Sequence, residues 1–100
     1  MDDFFFDGVD EAVLRQERDK ARKLRKTSWW QNKLSAGKCY YCSTKKTSKE
    51  LTMDHITPLA RGGKSTKGNI VPACKECNTK KRSMLPMEWQ EYMDSLTTLF

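Results

Sequence analysis

From Val9 to Ala36 the chain runs through helix-forming residues without proline or glycine, until Gly37 supplies a stop. Val9, Val13, Leu14, Ala21 and Leu24 make only a thin apolar stripe there, which predicts a helix that projects partly into solvent. Asp10 and Glu11 open this stretch and lysines and arginines crowd its later turns, as the helix dipole favours. A break is expected near Thr27-Ser28, and Trp29, Trp30 and Leu34 beyond it read as core. Glu50 to Asp54 alternates weakly and fits a short strand. Asn69-Ile70-Val71-Pro72 fits a second strand, ended by Pro72. The polar, glycine-rich stretch Arg61 to Gly68 connects the two. Cys74 to about Arg82 reads as a helix. Leu85, Trp89, Tyr92, Met93 and Leu96 then recur at helical spacing around Pro86, giving a last amphipathic helix packed on the module before it. Residues 1–8 read as a frayed acidic lead with a Phe4-Phe5-Phe6 cluster.

Size changes how this pattern must be held together. With 100 residues, 37% hydrophobic content and a mean hydropathy of −0.81, the chain is one small domain with a modest core. Scaffolds of this kind need a staple. Cys39-x-x-Cys42 and Cys74-x-x-Cys77, with 31 residues between them, can close one tetrahedral four-cysteine zinc site. Four thiolates leave no open position for water, so that zinc is structural, and Lys38 and Lys75 flank the hooks to offset its charge. Two disulfides in a secreted protein are the plain alternative, and a redox or iron–sulfur role for the cysteines is another. No secretory leader and no bilayer-length apolar run is apparent, so a cytoplasmic setting with reduced thiols is expected, which favours metal ligation.

Net charge is +6, but its placement says more. Residues 1–19 hold seven acids against two bases, residues 20–49 hold ten lysines or arginines and no acid, and residues 84–100 hold three acids alone. A basic band centred on the cysteine hooks suits a polyanion, most simply a nucleic acid.

The insert between the hooks carries the chain's one imidazole, in Asp54-His55, and an amide, Asn69; a second amide, Asn78, follows Cys77. Phosphodiester hydrolysis needs a deprotonated water, a stabilised pentacovalent phosphorus and a neutralised leaving oxygen. Histidine, with an ordinary pKa of about 6.5, is suited to the first task near neutrality. A hard cation held by a carboxylate and an amide oxygen suits the other two. Adjacent strand residues point to opposite faces, so β structure has to end or bulge at Asp54-His55.

These motifs in this order resemble the HNH endonuclease family: Cys39-x2-Cys42, Asp54-His55-Ile56-x-Pro58-Leu59-x-Arg61-Gly62-Gly63, Asn69-Ile70-Val71-Pro72, and Cys74-x2-Cys77-Asn78-x2-Lys81. The resemblance covers about residues 37–84 and is to the subgroup with a four-cysteine zinc. It implies an α+β fold with a small ββα-metal finger; the flanking helices come from the pattern along the chain, which divides it into 1–36 (acidic lead and basic helix), 37–84 (nuclease module) and 85–100 (C-terminal helix) within one compact domain. It implies His55 as general base, Asp54 and Asn78 as ligands of a catalytic divalent metal, and Asn69 as the brace of the loop beneath the histidine. Asn78 stands where other members carry histidine, and its oxygen favours Mg2+ or Mn2+ over a second zinc.

The expected activity is metal-dependent cleavage of double-stranded or structured DNA with low sequence specificity; the rival is a zinc-stapled nucleic-acid-binding protein without turnover. Arg61, Lys80, Lys81 and Arg82 are the expected phosphate contacts, with Lys64 and Lys67 on the loop behind them. Cutting both strands from one site would call for a homodimer. No membrane partner is expected.

Overall fold

The computed structural model describes residues 9–98; the Phe4-Phe5-Phe6 lead lies outside them. Two helices, α1 (Glu11–Arg25) and α2 (Ser28–Ser35), precede strands β1 (Leu51–His55) and β2 (Ile70–Cys74). Helices α3 (Lys75–Lys81) and α4 (Pro86–Thr98) follow. Asp10 caps α1 by accepting from the Ala12 N–H at 3.1 Å, and Arg22, Lys23 and Arg25 lie against its negative end. The expected break falls between Arg25 and Ser28. Its cause is local: the Thr27 hydroxyl donates to the Leu24 carbonyl at 2.6 Å and accepts from the Trp30 N–H at 3.3 Å, so one side chain ends α1 and caps α2.

β1 and β2 pair antiparallel, with Leu51 opposite Cys74, Asp54 opposite Val71 and His55 opposite Ile70. β1 does end at His55. β2 does not end at Pro72, which pairs with Met53 inside the strand. In a two-stranded sheet every strand has an outer edge, so the missing N–H of a proline costs no ladder bond. The Pro72 carbonyl is used as well, accepting from the Tyr40 N–H at 2.9 Å and tying the first cysteine turn to β2.

The core collects around the hooks. Cys39, Leu51, Ala73, Cys74, Cys77 and Trp89 form one buried cluster, with Leu34, Tyr41, Met84, Tyr92 and Met93 packed against it. Half of that cluster is cysteine, so the metal site and the hydrophobic core are the same place. α4 contributes through Trp89, whose ring meets Tyr41 edge-on at 5.4 Å and Tyr92 at 5.5 Å. The last helix therefore packs on the cysteine module, as its periodicity predicts.

The connection from His55 to Asn69 is folded on itself. The Gly63 N–H donates to the Pro58 carbonyl at 2.9 Å, and a Cβ at Gly63 would lie 1.8 Å from the Thr57 carbonyl oxygen. Only glycine allows that approach. Gly63→Ala is expected to destabilise the protein by about 2–3 kcal/mol through overpacking; urea unfolding checks this, and an unchanged midpoint would mean the loop yields without cost.

Candidate active site and metal cluster

The four cysteine Sγ atoms all lie within 4.8 Å of one another and none forms a disulfide. A tetrahedron of sulfurs about 2.3 Å from a zinc has edges of about 3.8 Å, so a small contraction closes the site on an ion. The first hook is a tight turn whose Tyr41 and Cys42 N–H groups donate to the Cys39 sulfur at 3.4 and 3.5 Å. The second hook opens α3, with the Cys77 N–H donating to the Cys74 sulfur at 3.5 Å. Hydrogen bonds from Thr44 draw the exposed Cys42 thiol down to about 6, whereas burial pushes the Cys77 thiol up. Coordination to a cation would deprotonate all four and balance their charge. The set is positioned to bind one metal ion.

Asp54 and His55, adjacent at the end of β1, face different neighbours. Asp54 is 8% exposed and turns toward α3: its Oδ2 accepts from the Tyr41 hydroxyl at 2.5 Å and meets the Lys81 Nζ at 3.2 Å. Burial and the Asp54 carboxylate raise the Tyr41 phenol well above its ordinary value, which keeps it a donor. His55, half-buried, turns the other way and places Nε2 2.9 Å from the Ser65 hydroxyl. Burial lowers its pKa, so the neutral imidazole dominates at pH 7.

Asn78, one residue after Cys77 on α3, donates from Nδ2 to the Thr52 hydroxyl at 2.8 Å. That hydroxyl spends its own hydrogen on the Ala73 carbonyl at 2.8 Å, so it can only accept from Asn78. The amide is thereby oriented with its NH2 on Thr52 and its oxygen turned away. A cleft of about 200 Å3 opens here, lined by Thr52, Lys75, Asn78 and Thr79. Asn69 sits beneath the His55 loop: its Oδ1 accepts from the Thr57 N–H at 2.9 Å, and its Nδ2 donates to the Thr57 and Lys64 carbonyls at 3.0 and 2.8 Å. Both N–H donors and one acceptor position of that side chain are spent on backbone. No hydrogen bond joins any two of Asp54, His55 and Asn78 among the described residues; each is held by a partner of its own.

The HNH endonuclease family matches residues 39–92, more than half of the chain. This chain belongs to the HNH endonuclease family. The match runs beyond residue 84, where the motifs stop, and takes in Trp89, whose ring lies in the core with the cysteines of the HNH module. No curated protein matches the chain.

The expected phosphate contacts of this HNH protein divide when placed in three dimensions. Lys81 is wholly buried, bound to the Asp54 carboxylate and, at 3.1 Å, to the His55 carbonyl, so it does not reach out to a nucleic acid. An aliphatic stem that crosses the core and an ammonium neutralising a buried carboxylate explain this reversal. Arg61 and Arg82 border one open cleft of about 420 Å3 together with Ser83, Met84 and Glu88. Arg61 forks onto Glu88 at 3.0 and 3.3 Å, and Lys80 pairs with Glu76 at 3.6 Å on the surface of α3. Exposed pairs of this kind are worth about 0–1 kcal/mol, so a phosphate can displace either glutamate.

Tyr41, Thr52, Ser65 and Glu17 contact the HNH side chains or their anchors, and none stood out as part of the site by motif; Lys81 is in the motif, but as a phosphate contact and not as the partner of Asp54. Tyr41, inside the first hook, had a sequence signal of position only. Glu17, 48 residues from its partner Ser65, had none.

Proposed function

We propose that this chain is a metal-dependent DNA endonuclease that hydrolyses phosphodiester bonds with low sequence specificity. The observation that supports the reading is the anchoring of Asn78: zinc on Cys74 and Cys77 would fix the start of α3, and the Thr52 hydroxyl accepts from the Asn78 amide at the edge of a cleft beside β1. Zn2+ is assigned to Cys39, Cys42, Cys74 and Cys77 as a structural ion. Asp54 and Asn78 supply hard oxygen donors that fit Mg2+ or Mn2+. Such an ion, when bound, would stabilise negative charge on the phosphorus oxygens and on the departing 3′ oxygen.

The chain's own groups do the rest. His55 takes a proton from the attacking water as the new oxygen–phosphorus bond forms and the bond to the 3′ oxygen breaks. Asn69 holds the turn at Thr57 so that the imidazole stays at the end of β1. Arg61, Lys80 and Arg82 bind the sugar–phosphate backbone, which gives affinity without reading bases. The chain acts without a membrane partner, in a cytoplasmic setting.

A second reading, nucleic-acid binding without turnover, is favoured by one observation: Asp54 is already neutralised by Lys81 and hydrogen-bonded by Tyr41. Supercoiled plasmid incubated with the purified protein and Mg2+ or Mn2+, with single-stranded DNA and RNA as parallel substrates, separates the two. Nicking that requires the ion, and falls at least about tenfold in Asn78→Ala while gel-shift affinity holds, is the expected result. Binding with no cleavage under either ion would establish the second reading.

A further inference from the structure

Ser65 and Glu17 are both buried, at 6% and 4% exposure, and the Ser65 hydroxyl stands between Glu17 and the histidine's far nitrogen. Glu17 belongs to the middle of α1, outside the residues that the family matches. Two contacts bind them: the Ser65 hydroxyl lies 2.6 Å from the Glu17 main-chain carbonyl, and the Ser65 N–H donates to the Glu17 carboxylate at 2.6 Å. A Lys20 ammonium at 3.1 Å holds the same carboxylate from the solvent side. A buried acid in a polar helix is costly unless its charge is used, and here it grips the backbone of a loop residue that touches His55.

The direction of these bonds is decided by chemistry. A main-chain carbonyl has no hydrogen to give, so at 2.6 Å the Ser65 hydroxyl must donate to it. A hydroxyl has one hydrogen. Toward His55 Nε2, at 2.9 Å, the same oxygen can then only accept, and Nε2 must carry the proton. In the neutral ring the lone pair is left on Nδ1.

We propose that Ser65, clamped to Glu17 of α1, is the positioning residue that holds His55 in its Nε2–H tautomer and reserves Nδ1 for the proton of the attacking water. The inference rests on the reading of His55 as the general base. α1 thereby becomes part of the active site through a bond chain from helix carbonyl to serine to imidazole. It also gives a use for the buried glutamate of α1.

Because the chain has a single histidine, its ring can be observed without ambiguity. The full-length protein carrying isotope-labelled histidine, in a proton–nitrogen correlation spectrum at a pH where the ring is neutral, is expected to show one dominant tautomer with the proton on Nε2. Ser65→Ala should let the two tautomers mix and lower kcat about 10–100-fold with little change in KM. Ser65→Thr, which restores a hydroxyl, should recover both. A proton on Nδ1 in the wild-type protein, or an Nε2–H tautomer undisturbed in a folded Ser65→Ala, would overturn the proposal. The wild-type spectrum decides even if the alanine variant does not fold. It is also independent of cleavage: a protein that shows the Nε2–H tautomer and cuts no DNA would leave the positioning intact and remove the nuclease reading instead.

Discussion

Replacing His55 with alanine should lower ion-dependent nicking of supercoiled DNA by about 10²–10⁴-fold, the usual contribution of a general base. No other imidazole exists in the chain to take over the proton. The ring is held neutral by burial, the form that can accept from water, and it stands beside the carboxylate assigned to the cation. Its removal should be felt in turnover far more than in folding. The variant loses one hydrogen bond to Ser65, worth about 1 kcal/mol, so the thermal midpoint should fall by only about 4–8 °C. Initial nicking rates and a thermal melt on the same preparation check both statements. Equal rates for the two proteins would take His55 out of the mechanism.

Removal of the structural ion should have the larger effect on the fold. Apparent binding energies of structural zinc run to about 10–16 kcal/mol, which matches or exceeds the whole stability of about 5–15 kcal/mol expected of a small domain. Cys39, Cys74 and Cys77 are also three of the six residues of the central cluster, so the ion and the core are lost together. Cys77→Ser, or a strong chelator added to the wild-type protein, is expected to abolish the cooperative melt and most of the tertiary signal in near-ultraviolet dichroism. The more exposed Cys42→Ser should be milder. Metal analysis of the purified protein should find one zinc per chain and no visible absorbance. Iron with a coloured spectrum would replace zinc by a cluster, and an unchanged melt after chelation would assign the staple elsewhere.

Much of this protein is readable along the chain because its strongest signals are local. Each cysteine hook spans four residues, Asp54 and His55 are neighbours, and Asn78 follows Cys77 directly, so spacing alone groups them. The break at Thr27 is local too, since the capping hydroxyl reaches only three residues either way. β2 runs through Pro72 for a reason that is tertiary: whether a proline ends a strand depends on whether another strand lies on its N–H side.

The lysine after the second hook makes the same point about charge. Lys80, Lys81 and Arg82 look alike in sequence, yet one of the three lies on the inner face of α3 and is fully buried against Asp54. Helical phase and the position of β1 choose which one.

The sequence by itself determined the family, the metal-binding cysteines and the identity of the groups that could do chemistry, because all of these are matters of residue type and short spacing. Only the tertiary structure decided how those groups are oriented. Tyr41 and Lys81 on Asp54, Thr52 on Asn78, and Ser65 with Glu17 behind His55 join residues 10 to 48 positions apart. A hydrogen bond has direction as well as partners. Its direction follows from which carbonyl the folded chain brings to each hydroxyl, and no periodicity along the sequence carries that information.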